Sequence, residues 1–218
     1  MKAMILAAGR GERMRPLTDT TPKPLLEVRG KPLIQWHIER LRDAGFNELV
    51  VNVSWLKEKL VEFLGDGSRF GANIIISEES PEPLETAGGI IQALPQLGDR
   101  FAVVNGDVFT GFDFRALRDF PMREDLAHLV LVPNPEHHAR GDFGLEQDRV
   151  IENAAESFTF SGIGIYRREL FENLDPGVRK LAPLLREAMR VDHVSGALHE
   201  GQWSDVGTFE RLAALNQG

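Results

Sequence analysis

A glycine- and arginine-rich segment, LAAGRGERMRP at residues 6–16, follows a short apolar run at the start of the chain. It combines two glycines with three arginines: Gly9, Gly11, Arg10, Arg13 and Arg15. Exposed main-chain amides after a strand form a concavity that binds anions, and arginine side chains reinforce it. The segment predicts a loop that binds a small anion, a phosphate in our interpretation; the alternative is a tight turn with solvated arginines.

This loop matches neither of two widespread phosphate-binding fingerprints. No G-K-[ST] closes it, so it is not a P-loop, and Met14 stands where the dinucleotide fingerprint G-x-G-x-x-G requires its third glycine. A nicotinamide-dependent dehydrogenase is therefore a weak alternative.

A lysine between two prolines, Lys23 in TPKPL (21–25), comes soon after the loop. The prolines restrict the backbone on both sides and hold the lysine in one extended geometry. A fixed cation beside a phosphate loop suits the stabilisation of charge that develops during phosphoryl transfer. The alternative is an exposed lysine in a rigid loop, and Lys31 is a second basic candidate at a predicted helix start.

Two aspartates are candidate metal ligands. Asp107 follows Asn105 at the end of a predicted strand, and Asp205 lies far along the chain in WSDVGT (203–208). Ligands bind at the carboxyl ends of strands in open parallel sheets, and Mg²⁺ is usually held by one or two carboxylates together with substrate phosphates. The pair predicts a magnesium site, although an aspartate at a strand end often serves only as a turn residue.

Two glycines, Gly88 and Gly89, open a predicted helix in ETAGGI (85–90). They would allow close approach of the backbone to a flat or phosphorylated ligand; the alternative is a helix start capped by Thr86. The adjacent His137 and His138 show no metal-binding spacing, so we expect them to be solvated.

Composition narrows the functional classes. The chain has 218 residues, a net charge of -8 and no cysteine. The negative charge argues against nucleic-acid binding, and the lack of cysteine excludes disulfides, thiolate metal sites and a cysteine nucleophile. No apolar stretch approaches the roughly 20 residues that span a bilayer, so we expect a cytoplasmic protein without membrane association.

Hydrophobic patterning predicts an α/β fold. Up to about residue 110, short apolar runs alternate with helical patterns, which indicates a mostly parallel central sheet with helices on both faces. The predicted strands there are 3–8, 48–54, 72–79 and 100–109, and the helices are 32–45, 56–65 and 86–97. Beyond residue 110 we predict a more antiparallel part over the sheet's carboxyl edge, with strands in 128–135, 141–153 and 159–170 and helices in 167–174, 181–190 and 208–215.

The segments LAAGRGERMRPLT, TPKPL, ETAGGI, NGDV and WSDVGT together resemble the motifs of the sugar-1-phosphate nucleotidyltransferases, over residues 3–210. The resemblance implies a Rossmann-like fold in one domain, 1–218, with a nucleotide-binding part at about 1–110 and a smaller antiparallel sugar-binding part at about 111–218. It also implies that a sugar 1-phosphate attacks the α-phosphate of a nucleoside triphosphate, with Mg²⁺ bound and pyrophosphate released.

The resemblance assigns roles to individual positions. The implied catalytic residues are Arg15, Lys23, Asp107 and Asp205, of which the two aspartates hold the metal. The implied nucleotide-binding residues are Ala7, Ala8, Gly9, Gly11, Glu12, Arg13, Lys23, Pro81 and Gly88. The implied sugar-pocket residues are Asn105, Gly141, Asp142, Gly144, Glu152, Asn153 and Gly162. Such a reaction needs in-line positioning and charge stabilisation rather than a general base.

One segment departs from the family pattern. Many relatives carry a Glu-Lys-Pro segment after the sugar-binding strand, whereas IENAAES (151–157) has no lysine, and Arg140 or Lys180 is the candidate replacement. This segment, the short chain and GDGSRFG (65–71) are most similar to the bacterial N-acetylmuramate α-1-phosphate uridylyltransferases of cell-wall recycling.

That likeness makes UTP the expected nucleotide. The alternatives are a mannose-1-phosphate guanylyltransferase, a glucose-1-phosphate nucleotidyltransferase and a non-catalytic nucleotide-sensing domain. The lactyl ether of muramate carries a carboxylate, so we expect the sugar pocket to offer it a cation or main-chain amides.

Overall fold

A computed structural model describes residues 1–79 and 83–217. In these ranges the strands are β1 (Lys2–Leu6), β2 (Glu27–Val28), β3 (Lys31–Pro32), β4 (Glu48–Val53), β5 (Asn73–Glu78), β6 (Arg100–Asn105), β7 (Val108–Thr110), β8 (Ala127–Val132), β9 (Phe143–Glu146), β10 (Arg149–Ile151), β11 (Ser157–Arg167), β12 (Val194–Leu198) and β13 (Trp203–Asp205). The α-helices are α1 (Leu17–Thr20), α2 (Leu33–Asp43), α3 (Lys57–Leu64), α4 (Glu85–Ala93), α5 (Arg115–Arg118), α6 (Leu181–Arg190) and α7 (Phe209–Gln217).

The main sheet has the strand order β5-β4-β1-β6-β11-β8-β12-β10-β9. Strand β1 runs parallel to β4 and β6, and β4 runs parallel to β5, as the alternating pattern predicts. The long strand β11 pairs antiparallel with both β6 and β8. The second half of the chain therefore continues the same sheet instead of lying over its edge, because β11 extends the hydrogen-bonded ladder beyond β6.

Both faces of the sheet are covered by helices. In β1, Ala3 and Ile5 pack in the core with α2 and α3, whereas Met4 between them packs on the opposite face with α4 and α6. This alternation follows from the two-residue period of a strand. The predicted α/β class is confirmed. None of the helices among residues 1–79 and 83–217 has the length and apolar character of a membrane-spanning segment.

The predicted strand at 100–109 is interrupted at Gly106. Strand β6 ends at Asn105, and the chain resumes as β7 at Val108 in a separate two-stranded ribbon with β13. The Gly106 amide donates a hydrogen bond of 2.8 Å to the Leu6 carbonyl. A Cβ at Gly106 would lie 2.6 Å from that carbonyl oxygen. This close approach turns the chain out of the sheet and leaves Asn105 and Asp107 at its carboxyl edge.

The segment 141–153, for which the sequence predicts strand structure, forms the antiparallel hairpin of β9 and β10. The helix predicted at 167–174 is reduced to a 3-10 turn at Arg168–Leu170. Its first residue, Arg167, still belongs to β11, and the turn that follows brings Phe171 into the core, where it is fully buried. Strands β12 and β13 have no counterpart in the sequence-based prediction.

Candidate active site

Two clefts lie at the carboxyl ends of β1 and β6. The first has a volume of about 540 Å³ and the second about 350 Å³. Arg13, Asn105 and Asp107 line both, so the clefts meet at these side chains. This is the edge at which ligands bind in open parallel sheets.

The glycine-rich loop after β1 forms one wall of the first cleft. The predicted nucleotide-binding residues that line it are Ala7, Ala8, Gly9, Gly11, Glu12, Arg13 and Lys23. Gly11 adopts a φ of +66°, and a Cβ there would lie 2.9 Å from Thr18 Cγ2 and 3.2 Å from Lys23 Cβ. The Thr18 hydroxyl donates to the Gly11 carbonyl at 2.9 Å. Glycine is therefore required where the loop packs against the segment that carries Lys23.

The three arginines of the loop have different surroundings. Arg13 lines both clefts, and Arg10 lines the first cleft with its guanidinium 5.0 Å from the ring centroid of Trp55. Arg15 lines neither cleft: its side chain is 66% exposed and pairs with Asp19 at 2.6 Å. Of the three arginines, the structure brings Arg10 and Arg13 to the clefts.

Lys23 and Asp107 form an ion pair at the junction of the clefts. Lys23 Nζ lies 2.7 Å from Asp107 Oδ2. The lysine side chain is only 10% exposed, whereas the aspartate side chain is 38% exposed. The lysine is thus fixed by its surroundings and directed into the site. The extended geometry predicted from the two prolines is wrong, because Lys23 is the first residue of a 3-10 turn at Lys23–Leu25.

The second aspartate reaches the site through the small ribbon of β7 and β13. Asp205 is paired with Val108 in this ribbon, and the Val206 amide donates to the Asp107 carbonyl at 2.7 Å. Asp205 Oδ1 accepts a hydrogen bond from Arg211 Nη1 at 2.7 Å. A Cβ at Gly207 would collide with the Arg211 guanidinium, so the glycine of WSDVGT leaves room for this arginine.

Asp107 and Asp205 are the residues that would hold a divalent cation. Both line the second cleft, and each has a basic partner, Lys23 or Arg211. Across the described residues no group of three or more His, Cys, Asp or Glu side chains is arranged to hold a metal ion. Two carboxylates completed by phosphate oxygens are a usual magnesium environment, so the donor set fits Mg²⁺ bound together with a substrate.

A buried polar network that the sequence analysis missed lies at the first cleft. Asn52 and Glu79 line the cleft and are each 3% exposed. Asn52 Oδ1 accepts a hydrogen bond from the Ala7 amide at 2.7 Å, and its Nδ2 donates to Glu79 Oε1 at 2.6 Å. The Leu84 amide donates to Glu79 Oε2 at 2.8 Å. The available signal was a polar residue inside the apolar strand ELVVNVS.

The two glycines of ETAGGI make room for protein atoms. A Cβ at Gly89 would lie 2.5 Å from Glu79 Oε1 and 2.9 Å from Asn52 Nδ2. A Cβ at Gly88 would collide with the Gly177 carbonyl, and Gly88 lines neither cleft. The close approach expected at Gly88 is therefore made by another part of the chain. Pro81, a predicted nucleotide contact, lies outside the described residues.

On the side of the second cleft, Gly162 supports Asn105. Gly162 lies in a bulge of β11 with a φ of +78°, and a Cβ there would lie 2.5 Å from Asn105 Nδ2. Gly141 also has a positive φ, +62°, and packs against the Phe158 main chain. Gly162 thus supports the wall from behind Asn105, whereas Gly141 packs against Phe158, which lines neither cleft.

Three predicted sugar-pocket residues are directed elsewhere. Glu152 forms ion pairs with Arg186 at 3.3 Å and Arg190 at 3.4 Å on α6. Asn153 is exposed, and a Cβ at Gly144 would collide with Ala154. None of the three lines either cleft. The hairpin of β9 and β10 is paired to β12 and packs against α6, which turns these residues away.

The candidate lysine replacements, Arg140 and Lys180, also line neither cleft. By contrast, His137 and His138 both line the second cleft. His137 Nε2 lies 3.0 Å from Asp205 Oδ1, and His138 Nε2 lies 3.1 Å from Asp142 Oδ1. Their side chains are 44% and 40% exposed, so the expectation that both are solvated is confirmed, and the 3-10 turn at Glu136–His138 also places them along the cleft.

Comparison with known proteins finds a family model and relatives that match nearly the whole chain. The model of the nucleotidyl transferase family matches residues 2–218. The chain is 57% identical to an N-acetylmuramate alpha-1-phosphate uridylyltransferase of Neisseria meningitidis serogroup B, over 97% of this chain and 95% of that protein. It is 34% identical to a protein of the same name from Caulobacter vibrioides, over 97% and 94% of the two chains.

Among solved structures, the fold is similar to a putative glucose-1-phosphate thymidylyltransferase from Bacillus anthracis in complex with a sucrose. The TM-score is 0.87 at 24% identity, and the match covers 100% of this chain and 94% of the other. At this identity the likeness describes the fold alone.

Proposed function

Since this chain belongs to the nucleotidyl transferase family, we propose that it transfers the uridylyl group of UTP to N-acetylmuramate α-1-phosphate. The products are UDP-N-acetylmuramate and pyrophosphate. The relatives from Neisseria meningitidis and Caulobacter vibrioides carry this activity in their names, and each match covers nearly the whole of both chains. They support the proposed substrate pair. The observation that carries the reaction type is the Lys23–Asp107 pair where two clefts meet.

In this proposal the nucleotide occupies the first cleft and the sugar phosphate the second. The loop amides from Ala8 to Gly11 receive the nucleotide, and Arg13, which lines both clefts, neutralises phosphate charge. Asn52 and Glu79 hold the Ala7 end of the loop in position. Asn105, supported by Gly162, orients the sugar phosphate for in-line attack.

An oxygen of the sugar phosphate forms the new bond to the α-phosphorus as the bond to the β-phosphate breaks, and pyrophosphate leaves. The attacking oxygen is already ionised, so no side chain has to remove a proton. Lys23 stabilises the charge that grows on the α-phosphate. Asp107 and Asp205 would hold Mg²⁺, which supplies further charge neutralisation at the phosphate oxygens when bound.

Arg15 takes part in this reaction only if its surface ion pair with Asp19 opens, so we propose a secondary role for it.

We also propose that residues 1–218 act as one domain. The continuous nine-stranded sheet, which joins the nucleotide side to the sugar side, supports that proposal.

A pyrophosphate-release assay with four nucleoside triphosphates and a panel of sugar 1-phosphates tests the proposed function. We expect turnover with UTP and N-acetylmuramate α-1-phosphate in the presence of Mg²⁺. Turnover restricted to GTP and mannose 1-phosphate would replace the substrate assignment. Nucleotide binding without turnover on any sugar phosphate would point to a sensing domain instead.

A further inference from the structure

The 3-10 turn at Glu136–His138 places two histidines along the second cleft, and neither lines the first. His138 Nε2 lies 3.1 Å from Asp142 Oδ1. The other oxygen of Asp142 accepts a hydrogen bond of 2.8 Å from the Phe160 amide. The imidazole of His138 is thus oriented by a carboxylate that is itself held by the main chain of β11.

The other charged groups of the second cleft already have partners or belong to the phosphate site. Asp107 pairs with Lys23, and Asp205 pairs with Arg211. His137 contacts Asp205 as well, and Arg13 also lines the nucleotide cleft. Among the described residues that line this cleft, His138 is the basic side chain tied neither to the candidate metal carboxylates nor to the glycine-rich loop.

We propose that His138 is a specificity-determining residue that receives a carboxylate carried on the sugar ring of the substrate. This inference rests on the proposed function, whose sugar bears such a group in its lactyl ether. With Nε2 donating to Asp142, Nδ1 is left to donate to the incoming carboxylate. An imidazole that donates from both nitrogens carries a positive charge, which matches the negative charge of the sugar carboxylate.

Asp142 is then a positioning residue. It fixes the ring of His138 and does not itself touch the sugar carboxylate. A sugar 1-phosphate without a carboxylate forms no hydrogen bond with His138. The His138–Asp142 pair therefore discriminates between substrates that share the same ring and the same anomeric phosphate. From the sequence, either a cation or main-chain amides are expected to receive this carboxylate; His138 is the cation that we propose.

The test compares N-acetylmuramate α-1-phosphate with N-acetylglucosamine α-1-phosphate, which lacks the lactyl group, in wild type and His138→Gln. We expect kcat/KM for the carboxylate-bearing substrate to fall about 10- to 100-fold, mainly through KM, because one charge-assisted hydrogen bond is lost. The affinity for N-acetylglucosamine α-1-phosphate, measured as KM or as a competitive inhibition constant, should change by less than about twofold.

Three further variants complete the design. His138→Arg keeps a cation and should restore part of the preference, and Asp142→Asn should weaken the preference in the same direction. His193→Gln, in the turn before β12 and outside both clefts, should change neither substrate. Thermal melting of each variant shows whether it folds. If His138→Gln does not fold, Asp142→Asn becomes the test of the inference.

Equal losses with both sugar phosphates would overturn the inference, since His138 would then support the cleft in general. Unchanged kinetics with both would overturn it too, because another group would receive the carboxylate. A wild-type enzyme without any preference for the carboxylate-bearing sugar would overturn the proposed function as well. A preference that persists in His138→Gln removes only the inference about His138.

Discussion

Lys23 and Asp107 are 84 positions apart in the chain, yet their side chains form an ion pair of 2.7 Å. The pair lies where the two clefts meet, with the lysine nearly buried and the aspartate open to the cleft. In the proposed reaction, phosphate competes for the lysine and a divalent cation competes for the aspartate. Each group thereby keeps the other neutralised until both substrates arrive, and this arrangement leads to the first two predictions.

Replacing Lys23 with methionine should lower kcat by about 100- to 1000-fold, because a donor directed at developing phosphate charge is removed. The matched control is Lys31→Met: Lys31 pairs with Glu39 and lines neither cleft. Steady-state kinetics with saturating UTP measures the effect. A Lys23→Met enzyme with normal kcat and only a raised KM would show that this lysine binds substrate without stabilising the transition state.

Replacing Asp205 with asparagine should raise the Mg²⁺ concentration needed for half-maximal activity by at least about tenfold, because a charged oxygen ligand is lost. Binding of Mn²⁺ followed by electron paramagnetic resonance, in the presence of a non-hydrolysable UTP analogue, provides a measurement that is independent of turnover. Asp113→Asn, on the surface beside Arg115, is the control. Equal metal dependence in Asp205→Asn and wild type would remove Asp205 from the metal site.

Replacing Gly89 with alanine should disturb the Asn52–Glu79 network, because the new Cβ would lie 2.5 Å from Glu79 Oε1. Overpacking of this kind costs about 1–3 kcal/mol of folding free energy. We also expect weaker UTP binding, since Asn52 holds the Ala7 amide. Gly98→Ala is the matched control, because the nearest atom to its Cβ is 3.9 Å away. Melting temperatures and UTP titrations that match between the two variants would contradict this role of Gly89.

The buried His128 should make the fold sensitive to acid. Its ring stacks on Phe120 with centroids 3.6 Å apart and lies 3.0 Å from the Ser195 hydroxyl. Burial lowers the pKa of His128 from 6.5 to about 4, against the opposing effect of Asp125 and Asp148. Between these two pH values the unfolded chain binds a proton here that the folded chain does not, so the free energy of unfolding decreases as the pH falls, by up to about 3 kcal/mol.

Urea unfolding of wild type and His128→Asn at about pH 7.5 and about pH 4.5 checks this prediction. The variant lacks the titrating ring, so its free energy of unfolding should decrease less between the two conditions. The half-buried His199, replaced by asparagine, serves as the control. If wild type and His128→Asn lose equal stability on acidification, the acid sensitivity arises from other groups.

Much of the secondary structure can be predicted from the local sequence. The strand-helix alternation of the first half, the hairpin of β9 and β10 and the helices at 181–190 and 209–217 follow from hydrophobic period and turn residues. The interruption at Gly106 and the shortened helix after β11 do not, because each depends on a distant partner, the Leu6 carbonyl or the core around Phe171. A contact with a distant residue produces no periodic hydrophobic pattern in the sequence around it.

By itself, the sequence determined the chemistry: a glycine-arginine loop, a lysine between prolines and two aspartates indicate phosphate and metal, since these properties belong to single residues and short motifs. Only the tertiary structure decided which side chains meet. It brought Asn52 to Glu79 and His138 to the second cleft, and it turned Glu152 towards α6. The physical reason is that contacts between distant residues depend on strand order and pairing, which short stretches of sequence do not encode.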